Sequence, residues 1–173
     1  MQRREHQLGV LVSISGATIF ICVLFISAYW ENDIRWLHFF QAWMYIAAVS
    51  LMLIKNKWGL LIGFSAAAFW NYTTLFANTF LKNGIEQARL LFQSGHVARP
   101  DLLISVPGWI GNLLLILGCV MVYLGNTDRR WTDLPKLLIA FGGTTGFFAL
   151  IMMLFQPRYL ALFRQCLHPR LHL

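Results

Sequence analysis

Ionised side chains are scarce in this sequence, and this scarcity decides the class of protein. Only 12% of the 173 residues are charged, while 58% are hydrophobic; an average soluble domain is about 25% charged. A soluble chain of this length has too little interior to hide so much apolar surface. The composition therefore predicts an integral membrane protein, with lipid as its solvent.

Cysteine and histidine are few and are not spaced for chemistry. The three cysteines, Cys22, Cys119 and Cys166, form no CxxC pair, and the sequence contains no HExxH motif. A haem held between two helices would need two membrane histidines, and only His38 lies near an apolar run. We therefore predict no disulfide framework, no metal site, no cofactor and no catalytic residue.

Acidic residues are outnumbered two to one by basic ones, which gives a net charge of +7. The basic residues stand in short segments between apolar runs and do not form one basic face, as a nucleic-acid-binding domain would. Basic flanks beside apolar helices suit anionic lipid headgroups. We expect membrane lipids as partners and no nucleic acid.

Five long runs contain no Asp, Glu, Lys or Arg, and each is long enough to cross a hydrocarbon core of about 30 Å as a helix. Because the core of a bilayer offers no water, each run must satisfy its own backbone hydrogen bonds. The sequence predicts an all-α fold, a polytopic transmembrane helix bundle in a single domain, 1–173. The predicted spans are about 8–30, 37–54, 58–81, 102–124 and 137–156.

Two segments outside the spans have the pattern of surface helices. Ile85, Ala88 and Phe92 fall on one side of the link between spans three and four, which predicts a short amphipathic helix there; an irregular loop is the alternative. The tail 157–173 is predicted to be interfacial, because its apolar residues also recur at helical spacing.

The orientation in the membrane follows only from the first hairpin. The 14 Lys and Arg residues divide equally between the two sides, so their total decides nothing. Arg3, Arg4, Lys55 and Lys57 flank a first link that contains two acids and one Arg. Since early helices usually dominate, we predict a cytoplasmic N-terminus and a C-terminus on the opposite side.

Small residues recur at helix-contact spacing on four of the predicted spans. In lipid, such residues let helices approach closely. We expect this packing to occur within the bundle rather than between two copies of the chain. The small residues are Gly9, Ser13 and Ala17, then Gly59, Gly63 and Ala67, then Gly108 and Gly111, then Gly142 and Gly146.

Polar residues inside spans are costly unless they are paired, so their positions carry information. Three lie at i, i+3, i+7 on span two and three on span three, and span four starts at the same membrane surface. If these faces meet, they line a cavity open on the side opposite the N-terminus. The candidate ligand-binding residues are His38, Gln41, Tyr45, Asn71, Thr74, Asn78, Trp109 and Asn112, with Trp43, Trp70 and Tyr72 as further aromatic walls.

Three functions compete for this pattern. The first is a non-enzymatic protein that binds or moves a hydrophobic or amphiphilic small molecule, or a lipid, in the cavity. The second is an accessory subunit of a larger membrane complex, with partner membrane subunits. The third is a membrane-embedded lipid-modifying enzyme that uses His38. In competition with all three, the polar residues would only join helices through hydrogen bonds, and His38 would only reach towards the interface.

Overall fold

The computed structural model describes residues 2–125 and 131–161, and it contains helices and no strand within those ranges. Seven α-helices follow one another along the chain. They are α1 (Gln2–Trp30), α2 (Arg35–Leu53), α3 (Lys57–Phe76), α4 (Phe80–Ser94), α5 (Pro100–Leu103), α6 (Ser105–Gly125) and α7 (Asp133–Phe155). Short 3-10 turns at Asn32–Ile34 and Pro157–Leu160 complete the described chain.

Four helical segments are long and apolar enough to cross a membrane: His6–Trp30, Asn32–Leu53, Pro100–Gly125 and Asp133–Phe155. Helices α3 and α4 together meet the same test, but the chain bends by 74° between them. The predicted all-α transmembrane bundle is therefore confirmed; within the described residues four helices could cross a membrane, or five if the bent pair forms one span.

The bend after Phe76 cuts short the predicted third span, 58–81. Two threonines in the last turns of α3 bond back to the backbone, Thr73 to the Phe69 carbonyl at 2.8 Å and Thr74 to that of Trp70; such bonds often bend helices. The Asn78 side chain then accepts a hydrogen bond at 2.9 Å from the Phe80 amide, which starts α4. The polar side chains of Thr73, Thr74 and Asn78 thus bend the chain before the predicted third span ends.

Helix α4 is the amphipathic helix that the sequence predicts between spans three and four. Its inner face packs Gly84 against Ser105 and the Leu102 carbonyl so closely that a side chain at position 84 would clash with both. Ile85 and Phe92 point outwards, and Phe92 is 88% exposed. The helix ends at Gly95, whose φ of +68° is the left-handed conformation typical of a helix terminus.

The core of the bundle is a ring in which α1 packs on α2, α2 on α3, α3 on α6, and α6 on α1. The contact between α1 and α6 is the most extensive. A Cβ built on Gly16 would lie 2.5 Å from the Gly111 carbonyl oxygen, and one on Gly118 would lie 2.4 Å from the Ser13 amide nitrogen. The glycines therefore bring the two backbones into direct contact. Ser13 and Gly111 belong to the predicted small-residue sets, whereas Gly16 and Gly118 do not.

Helix α7 lies outside this ring, against α3 and α2. Phe148 anchors it, with its ring centroid 5.3 Å from Phe69 and 5.4 Å from Trp70. Contrary to expectation, Gly142 and Gly146 do not pack against the described part of the bundle, because a Cβ added at either position would meet none of its atoms within 4 Å. The large side chain of Phe148 makes the contact, and the glycines face away from it.

The two ends of the bundle are held together by different polar contacts. At one end the link between α1 and α2 meets the residues after α7: Gln156 and Arg158 each donate a hydrogen bond to Asp33. At the other end the Lys57 ammonium nitrogen lies 3.3 Å from a carboxylate oxygen of Asp133. We call the first the cavity end and the second the Asp133 end. Of the predicted interfacial tail 157–173, only 157–161 belongs to the described residues.

Candidate functional site

A cavity of about 290 Å³ lies inside the ring of α1, α2, α3 and α6, at the cavity end. Its wall combines apolar side chains, mainly from α1 and α2, with polar or aromatic side chains from all four helices, and Met152 of α7 also lines it. Phe80 of α4, Leu102 of α5 and Tyr159 of the last 3-10 turn complete it. The polar and aromatic wall residues are Ser27, Glu31, His38, Gln41, Trp70, Thr74, Asn78, Ser105, Trp109 and Asn112.

Six of the eight residues that the sequence nominates form part of this wall: His38, Gln41, Thr74, Asn78, Trp109 and Asn112. Tyr45 and Asn71 are buried but stand outside it. The helical spacing of polar residues therefore locates the cavity, since i, i+3 and i+7 share one face of a helix. A ligand-binding role for these residues stays a prediction.

Tyr45 lies beneath the cavity. Its hydroxyl donates a 3.0 Å hydrogen bond to the Asn112 side-chain carbonyl, which links α2 to α6. Its ring centroid is 4.7 Å from that of Phe20 on α1. Tyr45 thus joins three helices, and for this residue a structural role in helix packing explains its position.

His38 is held on one side only. It forms a hydrogen bond with the Leu24 backbone, whereas its Nδ1 atom is buried and has no partner among the described residues. A neutral imidazole that donates from one nitrogen accepts at the other. His38 therefore does not reach out to the interface, as one sequence interpretation had it; it forms part of the cavity wall and offers an acceptor.

Several buried polar atoms of these wall residues lack a hydrogen-bond partner in the described chain, as do buried atoms of Ser65, Asn71 and Thr145 outside the wall. An amide, a hydroxyl, an imidazole and two indoles each bury an atom that has no hydrogen-bond partner within residues 2–125 and 131–161. They are Gln41 Oε1, Ser105 Oγ, His38 Nδ1, Trp70 Nε1 and Trp109 Nε1. Gln41 and Ser105 are only 2% and 3% exposed. Buried polar groups normally have partners, and a cluster without them calls for an explanation.

The mouth of the cavity is acidic. Burial raises the pKa of the Glu31 carboxyl, and the nearby carboxylates Asp33 and Asp101 raise it further, against the opposing effect of Arg99 and Arg158. Both arginines are exposed and already paired: Arg99 lies 2.6 Å from Asp101, and Arg158 bonds Asp33. The wall residues themselves include no Lys or Arg among those that the structure describes.

Other sequence expectations about the wall are corrected by the structure. Trp43 and Tyr72 are exposed on the outside of the bundle, at 52% and 39%, and take no part in the cavity. Ser27, Glu31 and Ser105 are polar wall residues that the sequence reasoning missed. For Ser105 the sequence does offer a signal, because this serine stands two positions before Pro107 at the start of a span. The proline marks the first turn of α6.

A second, larger hollow of about 520 Å³ opens at the Asp133 end, between α3, α6 and α7. Its wall is almost wholly apolar, with Asp133 and Tyr123 as the polar exceptions. Asp133 is only 4% exposed, but Lys57 and the Tyr123 hydroxyl approach the same carboxylate oxygen, at 3.3 and 3.4 Å. The polar groups at this end pair with one another, unlike those of the cavity.

No cluster of three or more His, Cys, Asp or Glu side chains that could hold a metal ion occurs in the described part of the chain. Comparisons with protein-family models, with curated proteins and with solved structures found no match to this chain. What can be said of function therefore rests on the cavity itself.

Proposed function

We propose that this small integral membrane protein is non-enzymatic and binds or moves a hydrophobic or amphiphilic small molecule, or a lipid, in the cavity. The observation that supports this proposal is the cavity of about 290 Å³ inside the ring of helices, with its apolar wall and its polar side chains from α1, α2, α3 and α6. Apolar walls with a few convergent polar groups are typical of small-molecule sites, and a volume near 300 Å³ lies at the lower end of their usual range.

The rival explanation, that these polar residues only join helices, accounts for Tyr45 and Asn112, which bond each other. It does not account for Gln41 Oε1, Ser105 Oγ or Trp109 Nε1, which have no hydrogen-bond partner among the described residues. Leaving a buried donor or acceptor unsatisfied costs about 1–3 kcal/mol each. Helix joining therefore does not explain these three atoms within the described chain.

A lipid-modifying enzyme that uses His38 has less support. Ser105 Oγ and His38 Nδ1 belong to the same wall, but each is without a hydrogen-bond partner within the described chain. They therefore do not form the nucleophile–base pair that activates a serine.

An accessory subunit of a larger complex remains the second candidate, and one observation favours it. Helix α7 leaves open space around Gly142, Gly143 and Gly146, so another helix could approach its backbone closely there.

For the membrane orientation we retain the cytoplasmic N-terminus, which puts the cavity end on the opposite side. A reporter fused to the N-terminus that is accessible from outside the cell would reverse this assignment.

The test of the binding proposal is native mass spectrometry of the protein purified from membranes in mild detergent. We expect a co-purified small molecule on the parent protein and its marked depletion in Gln41→Leu, which keeps the side-chain size but removes the wall acceptor. Gln93→Leu makes the same chemical change at an exposed position of α4 and should retain the molecule.

Thermal unfolding in the same detergent separates binding from helix joining. Removing an unpaired buried acceptor should leave stability unchanged or raised once the bound molecule has been stripped from both proteins. A parent protein that carries no bound molecule, together with a Gln41→Leu variant that unfolds at a clearly lower temperature, would refute the proposal and favour helix joining.

A further inference from the structure

Helix α4 runs across the end of the bundle rather than along it. Helix α3 extends from the Asp133 end, where Lys57 bonds Asp133, to the cavity end, where Asn78 lies in the wall just after it. The chain then bends by 74° into α4. A helix of 15 residues with three charged side chains is also too short and too polar to cross a membrane by itself. Helix α4 therefore lies roughly parallel to the membrane surface at the cavity end.

Two contacts show which side of α4 faces water. The Gln87 side-chain oxygen accepts a 3.0 Å hydrogen bond from the backbone amide of Arg99, whose side chain is 61% exposed. Gly84 packs against Ser105, where α6 begins, and from there α6 runs into the bundle. The direction around α4 from Gln87 to Gly84 therefore points from water towards the interior of the membrane.

The same direction leads on to an apolar surface. In a helix of 3.6 residues per turn, each step of four residues turns the side chain by about 40°. From Gly84 such steps reach the half-buried Ala88 and then Phe92, and Ile85 stands next to Phe92. Ile85 and Phe92 are 47% and 88% exposed. We call these two residues the apolar flank of α4; the contacts of Gln87 and Gly84 direct it towards the membrane interior.

The opposite flank of α4 is mainly polar. It carries Asn83 and Ser94, with Leu90 as an apolar exception. The Ser94 hydroxyl donates a 2.8 Å hydrogen bond to the Leu90 carbonyl. A helix at the surface of a membrane is expected to turn such a flank towards water.

Two cations border the apolar flank on the outer side of the helix. Lys82 and Arg89 are exposed, and neither forms an ion pair with another residue in the ranges 2–125 and 131–161. Long basic side chains can lay their stems along apolar surface while their charged ends reach the level of the lipid phosphates. Glu86, the acidic residue of α4, lies further from the apolar flank.

We infer that α4 is an interfacial helix whose apolar flank enters the lipid leaflet at the cavity end, with Lys82 and Arg89 at the level of the phosphates. The partner of this surface is the phospholipid leaflet itself. Apolar faces of such helices lie about 5–10 Å deep in the boundary between headgroups and acyl chains. Since Gly84 packs on Ser105, a residue of the cavity wall, α4 connects the leaflet to the rim of the cavity. The inference does not depend on whether the cavity holds a ligand.

The test measures the depth of a spin label in the full-length protein, reconstituted in vesicles of phosphatidylcholine and phosphatidylglycerol. The native cysteines are replaced by alanine, and the label is attached to Phe92→Cys or, as the matched control from the opposite flank, to Ser94→Cys. Collisions with oxygen, which concentrates in lipid, are compared with collisions with a water-soluble nickel chelate. We expect the label at position 92 to lie about 5–10 Å below the phosphates and the label at position 94 to lie in water.

Three outcomes would overturn the inference, and none of them bears on the proposed function of the cavity. A label at position 92 that meets the chelate more readily than oxygen would show that the flank faces water. One that meets neither would show that protein covers the flank. A label at position 94 as deep as the one at position 92 would show that α4 is not oriented in this way.

A second measurement keeps the native cysteines, so it does not require the cysteine-free protein to fold. Benzoylphenylalanine is introduced at position 92 or at position 94, and the protein is irradiated in the same vesicles. The mass of the protein should rise by one phospholipid for position 92 and stay unchanged for position 94. No lipid adduct at position 92 in a protein that unfolds as the parent does would contradict the inference.

The adducts at position 92 also test the two cations. We expect phosphatidylglycerol to be attached in excess of its share of the vesicle lipid. Lys82→Gln and Arg89→Gln should each lower that excess by up to about fivefold, the factor that corresponds to one cation near an anionic surface. The control Glu86→Gln should not lower it. An excess that is unchanged in the double variant would refute the assignment of Lys82 and Arg89 to the phosphates.

Discussion

Helices α6 and α7 are both rich in glycine, but they use it in opposite ways. On α6, Gly111 and Gly118 press against the backbone of α1, with no room for a Cβ. On α7, Gly142 and Gly146 meet no other part of the described chain. A small-residue pattern therefore marks a helix face that another helix can approach closely. It does not show whether that other helix belongs to the same chain.

This difference bears on the cavity. The wall of the cavity continues the α1–α6 contact, because Gly108 of α6 and Phe20 and Val23 of α1 all belong to it. The glycine contact thus fixes the distance between two of the four helices that enclose the site. Helix α7 contributes only Met152 to that wall. We expect changes at the α1–α6 contact to alter binding, and changes on the open face of α7 to leave it intact.

The largest expected effect comes from filling the α1–α6 contact. In Gly118→Val the new Cβ would lie 2.3 Å from the Ser13 hydroxyl and 2.7 Å from the Gly9 carbonyl oxygen, so the helices must separate. Overpacking of this kind costs about 1–3 kcal/mol, and more where backbone is displaced. Thermal unfolding of the purified protein in detergent should show a clear loss of stability.

The matched control is Gly146→Val on α7, where the added side chain meets nothing within 4 Å. We expect a change within about 0.5 kcal/mol. A large destabilisation of the isolated protein by Gly146→Val would contradict the described position of α7. If Gly146→Val leaves the isolated protein stable but abolishes co-purification of a membrane protein, the accessory-subunit candidate gains its first direct support.

A smaller effect is expected at the two ends of α7. Asp133 is 4% exposed and bonds Lys57, whereas the Asp33 side chain that meets Arg158 is 50% exposed. Asp133→Asn should therefore destabilise by about 1–3 kcal/mol, the scale of a hydrogen bond to a charged group. Asp33→Asn should cost about 0–1 kcal/mol, as exposed ion pairs do. Equal unfolding temperatures of the two variants would show that burial of Asp133 does not strengthen its contact.

The sequence predicts most of the fold because charge is the dominant cost in lipid. Runs without charge locate α1, α2, α6 and α7 to within a few residues, except for the start of α1, which the structure extends to Gln2. The prediction of spans from charge-free runs fails at Phe76, because the bend there lies inside such a run. Hydrogen bonds of Thr73, Thr74 and Asn78 to the backbone decide that bend, and hydropathy does not register them.

The candidate site is predictable for a similar reason and to a similar extent. Polar spacing identifies His38 and Gln41 on one face of α2 and Thr74 on α3, whereas Asn78 joins the wall from the bend after α3. The spacing cannot separate wall residues from the layer beneath, so Tyr45 and Asn71 were nominated as well. Which side chains stay unpaired depends on the rotation of each helix against its neighbours, and that rotation is set by tertiary contacts such as Gly111 on α1.

The smallest expected effect concerns Glu31 at the mouth of the cavity. Burial and neighbouring carboxylates raise its pKa in the folded protein above the ordinary 4.5, so the folded state holds the proton more tightly than the unfolded state. Its contribution to stability is fully present below pH 4.5 and is lost as the pH rises through the folded pKa. Because Glu31 is partly exposed, we expect the loss to stay below about 1 kcal/mol.

The measurement is the thermal unfolding temperature as a function of pH. The stability of Glu31→Gln should lack this decline, while that of the exposed control Glu86→Gln should keep it. A decline of the same size in Glu31→Gln and in the parent would show that another group causes it. The acidic mouth would then differ less than the structure indicates from the other end of the bundle, where the Asp133 carboxylate is paired.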